Sequence, residues 1–459
     1  MAINTTQLTT NLQTRLNNLT GTETPEEIFT LTAALNNLTS DRFMSVSKYS
    51  QLPNLTTNSI PSGSLVFVEA LNVLMMSVGT QWRGVDGRVP VLPAYTAYAW
   101  GRNNNAQLGD NTTTNRSSPV SAVGGIITWS QVSAGRYHSA GITSAGIAYA
   151  WGRNSNGQLG DNTTTSRSSP VTVVGAINGT WTQITAGSYN SLGITSDGRA
   201  YGWGANNYGQ VGDNTTTDRS SPVTVVGGIN TWSQISAGRT HVLGRTSAGI
   251  AYAWGHNQAS KLGDETNTNR SSPVTVVGGI NNWSEISSGS QHSLGRTSAG
   301  VAYAWGYNFR GQLGNNSTAI QSSPVTVVGS VIWSQISTSP GAHFQGMHSL
   351  GLNNASVAYA WGYNDRGQLG DNTTTHRSSP VTVVGGISNW SQISAGMKQS
   401  LGRTSAGVAY AWGGNNYGEN GDNSATVRSS PVTVVGGITA WTQVSGGGQH
   451  SLGIAVFGD

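Results

Sequence analysis

Large and small apolar side chains alternate through Gly249-Ile250-Ala251-Tyr252-Ala253-Trp254-Gly255, so both faces of an extended chain would be apolar there. This pattern predicts a strand buried on both sides. After a proline comes the β-branched run Pro273-Val274-Thr275-Val276-Val277, which Gly278-Gly279 turns into Trp283-Ser284-Glu285-Ile286-Ser287. A fourth run, His292-Ser293-Leu294-Gly295-Arg296-Thr297, leads through a glycine turn into the next such unit. Four short strands per unit, separated by glycine turns, predict a propeller blade.

The unit recurs. A Trp-Gly anchor stands at Trp100, Trp151, Trp203, Trp254, Trp305, Trp361 and Trp412, and a second tryptophan at Trp129, Trp181, Trp232, Trp283, Trp333, Trp390 and Trp441. Seven copies packed face to face around an axis predict an all-β, seven-bladed β-propeller over residues 94–459. Its last copy lacks the Ala-Tyr-Ala-Trp-Gly strand, which stands unaccompanied at the other end as Ala97-Tyr98-Ala99-Trp100-Gly101. Residues 94–101 are therefore expected to complete the C-terminal blade, a Velcro closure that leaves no open sheet edge.

Residues 1–93 pattern differently and read as a small α+β module. Leu8, Leu12, Leu16 and Leu19 fall on one helical stripe, and Thr24-Pro25-Glu26-Glu27 opens a second helix with the apolar face Ile28, Leu31, Leu35 and Leu38. A hairpin is expected around Leu71-Asn72, ending in Trp82-Arg83-Gly84-Val85. Such a module buries little core on its own, so attachment to a partner or homo-oligomerisation through these leucines is expected.

Composition narrows the function classes. Charged residues are only 9% of 459, with glycine at 62 and a net charge of +4. Charge spread thinly along the chain argues against nucleic-acid binding. No apolar run reaches membrane-spanning length, no secretory signal is readable at the N-terminus, and the absence of cysteine excludes disulfides, thiolate metal sites and thiol catalysis.

At Tyr149 to Asp161 and Tyr359 to Asp371 the unit reads Tyr-Ala-Trp-Gly-x-Asn-x-x-Gly-Gln-Leu-Gly-Asp, followed by Ser-Ser-Pro-Val. It resembles the regulator of chromosome condensation repeat family. The resemblance covers residues 94–459 and implies a seven-bladed propeller used as a protein-binding platform. The nucleotide-exchange activity of the family's founder is not implied, because this chain has neither the projecting wedge nor the basic tail that activity depends on. The form Gly-x-Leu-Val-Phe-Val within residues 63–84 is similar to small β-modules of bacteriophage tail fibres and other virion proteins.

The repeated polar residues are read as scaffold. His138, His241, His292, His348 and His450 share a register with Asn190 and Gln399, which marks hydrogen bonding rather than metal ligation. Asp110, Asp161, Asp213, Asp264, Asp371 and Asp422 read as Asx-turns. Arg116, Arg167, Arg219, Arg270, Arg377 and Arg428 read as further scaffold, and no catalytic, cofactor or metal set stands apart from the repeat. Variation confined to loops is more informative. The residues after each Trp-Gly differ, as does the register of Asn115, Ser166, Asp218, Asn269, Ile320, His376 and Val427. Tyr307, Phe309, Arg310, Tyr363 and Arg366 form the expected binding rim, because aromatic and arginine side chains dominate interfaces.

The resulting expectation is a non-enzymatic bacteriophage virion component, assembled in the host cytoplasm. It would attach to other virion proteins through residues 1–93 and show its propeller to a host surface protein or glycan, without a cofactor, nucleic acid or membrane insertion. A cytoplasmic protein-binding or inhibitory propeller is the alternative, and an enzyme comes third.

Overall fold

The computed structural model describes strands at residues 43–46, 65–68, 73–78 and 81–84 and, apart from 176, 340 and 342–346, residues 94–457. The chain divides into two compact units, Met1–Pro93 and Ala94–Asp459. In the first, Leu65–Val68 pairs antiparallel with Val73–Val78, Val68 opposite Val73. Two strands that the hydrophobic pattern did not assign extend this hairpin into a four-stranded sheet: Phe43–Val46 runs parallel on one side and Gln81–Gly84 antiparallel on the other. The expected helical stripes, Leu8, Leu12, Leu16, Leu19, Ile28, Leu31, Leu35 and Leu38, lie outside the described residues.

The second unit is a seven-bladed β-propeller of four-stranded antiparallel sheets. Blades are numbered here by their anchor tryptophans, Trp100 in blade one to Trp412 in blade seven. Blade one is the closing blade, made of Trp441–Gly446 and His450–Phe457 from the C-terminal end with Ala94–Gly101 and Arg116–Ser121 from the start of the unit. The closing register runs from His450 opposite Gly101 to Phe457 opposite Ala94. Closure thus uses two strands from each end, one more than the missing anchor strand alone.

Each inner strand neighbours the next all the way round. The sequence Trp-Ser-Gln-Ile-Ser-Ala explains why. The glutamine oxygen accepts the isoleucine or valine N–H of the following blade, as when Ile184 N donates to Gln131 at 2.9 Å, and the second serine or threonine accepts a further N–H, as when Ala186 N donates to Ser133 at 3.0 Å. Across the closing junction Val132 N donates to Gln443 and Ala134 N to Ser445 in the same way. Blade five carries Glu285 in the glutamine position, held by Ile336 N at 3.2 Å and Arg296 at 3.1 Å. Two tiers of side-chain bonds therefore stitch seven separate sheets into a ring.

Between blades the core is tryptophan. Trp203 is fully buried, meets Trp181 of its own blade at 5.6 Å between ring centroids, and donates Nε1–H to Gln158 O of the preceding blade at 3.0 Å. Gly160 must come this close to it: φ is +69°, and a Cβ would sit 2.7 Å from Trp203 Nε1. The Leu-Gly-Asp element of the repeat is thus a tryptophan socket.

Candidate functional site

Strand direction sorts the loops onto two faces of the ring. The loops after the inner strand (135–137 in blade two) and after the third strand (153–166) share one face, where Arg153 N donates to Tyr137 O at 3.1 Å. The turns after the second strand (144–147) and the blade linkers (173–180) share the other.

Beneath the first face runs a belt of histidines. Ser191 Oγ donates its single proton to Gln158 O at 2.8 Å, so it can only accept from Nε2–H of His138, 2.7 Å away in the preceding blade. His241, His292, His348 and His450 bond Ser293, Ser349, Ser400 and Ser139 in the same way. Each imidazole is spent on an inter-blade bond, and burial pushes His138, His292, His348 and His450 down to about 3. Of the two exceptions in the register, Asn190 has a physical reason. Val242 stands where blade three's residue would need a serine, so Asn190 takes the histidine position and leaves its amide without a partner. Gln399 reaches the backbone oxygens of Gly447 and His450 instead.

The long loops are built internally. In blade two the buried Asn154 donates to Asp161 Oδ1 at 2.9 Å and to the carbonyls of Thr163 and Thr165, while its own oxygen accepts Leu159 N. Asp161 also pairs with Arg167 at 3.0 Å. Burial alone would raise its carboxyl, but the hydrogen bonds from Thr163, Arg167 and Asn154 outweigh that and hold it below the ordinary value. The register of Asn115, Ser166, Asp218, Asn269 and His376, one of the variable loop positions of the sequence, is a cap: each accepts the backbone N–H of its loop asparagine, at 2.8 to 3.2 Å. Only Ile320 and Val427 lack an acceptor there.

Cationic and aromatic side chains then stand out on this face, beside a few carboxylates such as Asp218, Glu265 and Asp365. The structure brings four of the five expected rim residues together across the boundary of blades five and six. Tyr307 meets Phe309 at 4.6 Å, and Arg310 lies 5.8 Å over the Tyr363 ring, which stacks on His376 at 4.8 Å. Phe309 is 58% exposed. Arg366 is held at the edge of these four through Asp365, which lies 4.0 Å from it and accepts the Tyr363 hydroxyl at 2.9 Å.

A second cluster, in blades two to four, was not singled out from the sequence. Arg136 donates to the Tyr189 hydroxyl at 3.0 Å and lies 4.6 Å over the Tyr137 ring, while Arg153 lies 5.4 Å over the same ring. Arg239 joins them, its guanidinium pushed down by burial and by the charge of Arg136. Below sits the fully buried Lys261, where five other blades have glutamine, bonded to His256 Nδ1 at 2.9 Å and Gln291 at 3.1 Å. Burial and then Arg239 lower it to about 7. The available signal was the variable pair before each histidine, Arg136-Tyr137, Ser188-Tyr189 and Arg239-Thr240, where variation again sits on an otherwise fixed frame.

Charge is therefore gathered, not spread thinly as the sequence reading had it. Arg102, Arg136, Arg153, Arg239 and Arg310 stand on this face without an ion-pair partner among the described residues, whereas on the other face's turns and linkers the only charges are Asp197 and Arg199, paired at 3.5 Å.

Known proteins of similar sequence and structure agree with the ring. By sequence, the chain is 30% identical to the ultraviolet-B receptor UVR8 of Arabidopsis thaliana over 62% of this chain and 65% of the receptor. It is 28% identical to the human E3 ubiquitin-protein ligase HERC2 over 74% of this chain and 7% of the ligase. The chain thus spans just under two thirds of the first relative and a small part of the second. By structure, it is similar to Prp20p of Saccharomyces cerevisiae, a protein described with its binding to Gsp1p and histones, at a TM-score of 0.70 and 20% identity over 80% of this chain and 93% of that one. Human WBSCR16 matches at 0.69 and 19% over 79% and 99%. The regulator of chromosome condensation (RCC1) repeat matches residues 357–402, and the RCC1-like domain matches 94–347. That match takes in more than half of the chain, from the closing strand of blade one into blade six, and the chain belongs to the RCC1-like domain family.

Proposed function

We propose that this chain is a non-catalytic protein-binding propeller whose cationic, aromatic face receives an acidic surface of a partner protein. The observation that carries the reading is the uneven distribution of charge: five unpaired guanidiniums stand among the loops of one face beside Tyr137, Tyr189, Phe309 and Tyr363, whereas the other face's turns and linkers hold a single self-paired couple, and the guanidiniums nearest it, Arg245 and Arg403, are spent on Trp283 O and Trp441 O. Arginine and tyrosine on a rigid frame are the side chains that most often anchor interfaces, and opposite charge steers the encounter. Protein binding by the yeast relative supports the same use of the ring.

The test is titration of the full chain with poly-L-glutamate, followed by anisotropy. Binding should weaken steeply with salt and fall roughly tenfold or more in Arg102→Glu/Arg310→Glu/Arg366→Glu. Arg199→Glu, on the other face, should bind as the parent does. Equal losses in both would sink the reading.

A finer placement rests on residues 63–84 and on the charge-poor composition: a bacteriophage appendage attached through residues 1–93, with the propeller turned to a host protein or glycan. Its test is sedimentation of the native chain with particles, and a chain that stays in the soluble fraction would favour the cytoplasmic alternative.

A further inference from the structure

Three guanidiniums converge at one end of the ring axis, and the fold supplies nothing to balance them. The loops that follow the inner strands nest around the axis, with Arg136 N donating to Gly187 O and Arg239 N to Gly289 O. They bring Arg136 close enough to Arg239 for its charge, after burial, to lower the Arg239 guanidinium, and Arg153 joins from the long loop of the same blade as Arg136. Among the described residues no carboxylate comes within ion-pair distance of any of the three. Of their N–H groups, Arg136 spends Nη1 on Tyr189 and Arg153 spends Nε on Ser155. Nε of Arg239 is buried and has no partner.

This arrangement costs free energy in the unliganded protein. Like charges repel, and a buried donor without an acceptor forfeits its hydration. Tyr137 and Tyr189, 5.5 Å apart, fix the planes of Arg136 and Arg153 so that little side-chain entropy would remain to be lost on binding. A fold that fixes cations in advance and leaves their donors free is built for an oxyanion.

We propose that Arg136, Arg153 and Arg239 form a binding site for a tetrahedral oxyanion of the phosphate class, carried by a partner protein. The inference rests on the protein-binding reading and names the group recognised. The cations form a compact trio rather than a stripe that could track a repeating phosphate backbone, which favours a terminal dianionic group over a nucleic-acid strand. Lys261, fully buried below Arg239, adds a second signature. Burial first and the charge of Arg239 second hold its amine down to about 7, and a dianion above it would favour the charged form, so binding should draw a proton onto the amine around pH 7 to 8.

The experiment is calorimetric titration of the full chain with inorganic phosphate at constant ionic strength, with acetate as the control. Saturable phosphate binding is expected, at least tenfold weaker in Arg136→Gln and Arg239→Gln and unchanged in Arg199→Gln on the other face, with melting curves superimposable on the parent. Net proton uptake, read from heats in buffers of different ionisation enthalpy and corrected for the ionisation of phosphate itself, should be smaller in Lys261→Gln than in the parent. Phosphate heats that match acetate, or binding indifferent to Arg239→Gln, would overturn the site. If poly-L-glutamate still binds the face in that case, the protein-binding reading survives alone. A phosphoserine peptide should bind at least tenfold better than its glutamate counterpart, and parity would overturn the phosphate assignment. Tighter binding of a short single-stranded oligonucleotide, lost in Arg239→Gln, would overturn the assignment to a protein-borne group.

Discussion

The two faces of the ring are built from the same strand ends, yet one carries diversity and the other nearly none. On the face of residues 144–147 and 173–180, the turns are tight glycine turns wedged against the next linker: Gly198 has φ +76°, and a Cβ there would stand 2.3 Å from Asn230 O. Blade six alone has another residue there, Ser356, which takes the same left-handed conformation at φ +60°. On the face of residues 135–137 and 153–166, the loops are pinned at their bases by the His–Ser belt and by the Asn–Asp core of each long loop, which leaves the tips without structural duty. Tyr208, Phe309, Arg310 and Tyr417 stand at those tips. A repeat protein can diversify only where its own packing does not read the side chain.

Acid should break this comparison most completely. The belt histidines are held neutral to about 3 in the fold, against an ordinary value near 6.5. The unfolded chain therefore takes up protons first as pH falls. Stability is intact above about 6.5 and is lost at roughly 1 kcal/mol per histidine for each pH unit below it. With these four, and His241 also lowered by its burial, the ring should unfold between pH 6 and 4. Hydrogen exchange should show the loops around residues 135–137 and 153–166 opening before the turns of the other face, and simultaneous opening would contradict the belt's placement.

Trp203→Ala should come next, at about 3–5 kcal/mol by chemical denaturation, because it empties an inter-blade socket and removes the bond to Gln158 O. The pair Asn190→His with Val242→Ser should add the missing belt bond and stabilise by about 1 kcal/mol, with neither change alone doing so. Ile127→Ser, on the exposed linker of the invariant face, should shift stability by no more than about 0.5 kcal/mol.

Most of the ring was legible because its determinants are local and repeated. The alternation in Ala251-Tyr252-Ala253-Trp254 marks a doubly buried strand whatever the tertiary context, and the orphaned strand at residues 97–101 announced closure. The exceptions were legible only in three dimensions. That Asn190 answers Val242, 52 positions on, depends on which blades are neighbours and which atoms of the belt face each other. The gathering of Arg136, Arg153 and Arg239 was hidden for the same reason: they lie 17 and 86 positions apart, and only the nesting of loops around the axis brings them together. A low overall charge concealed its own distribution.

Hydroxyl-radical footprinting of the full chain, with and without saturating poly-L-glutamate, sets the two faces directly against one another. The account predicts protection of Tyr137, Tyr189, Tyr208, Phe309 and Tyr417, with Ile127, Ile147 and Ile332 on the opposite face oxidised as before. Protection of those three isoleucines, with the aromatic residues unchanged, would contradict it.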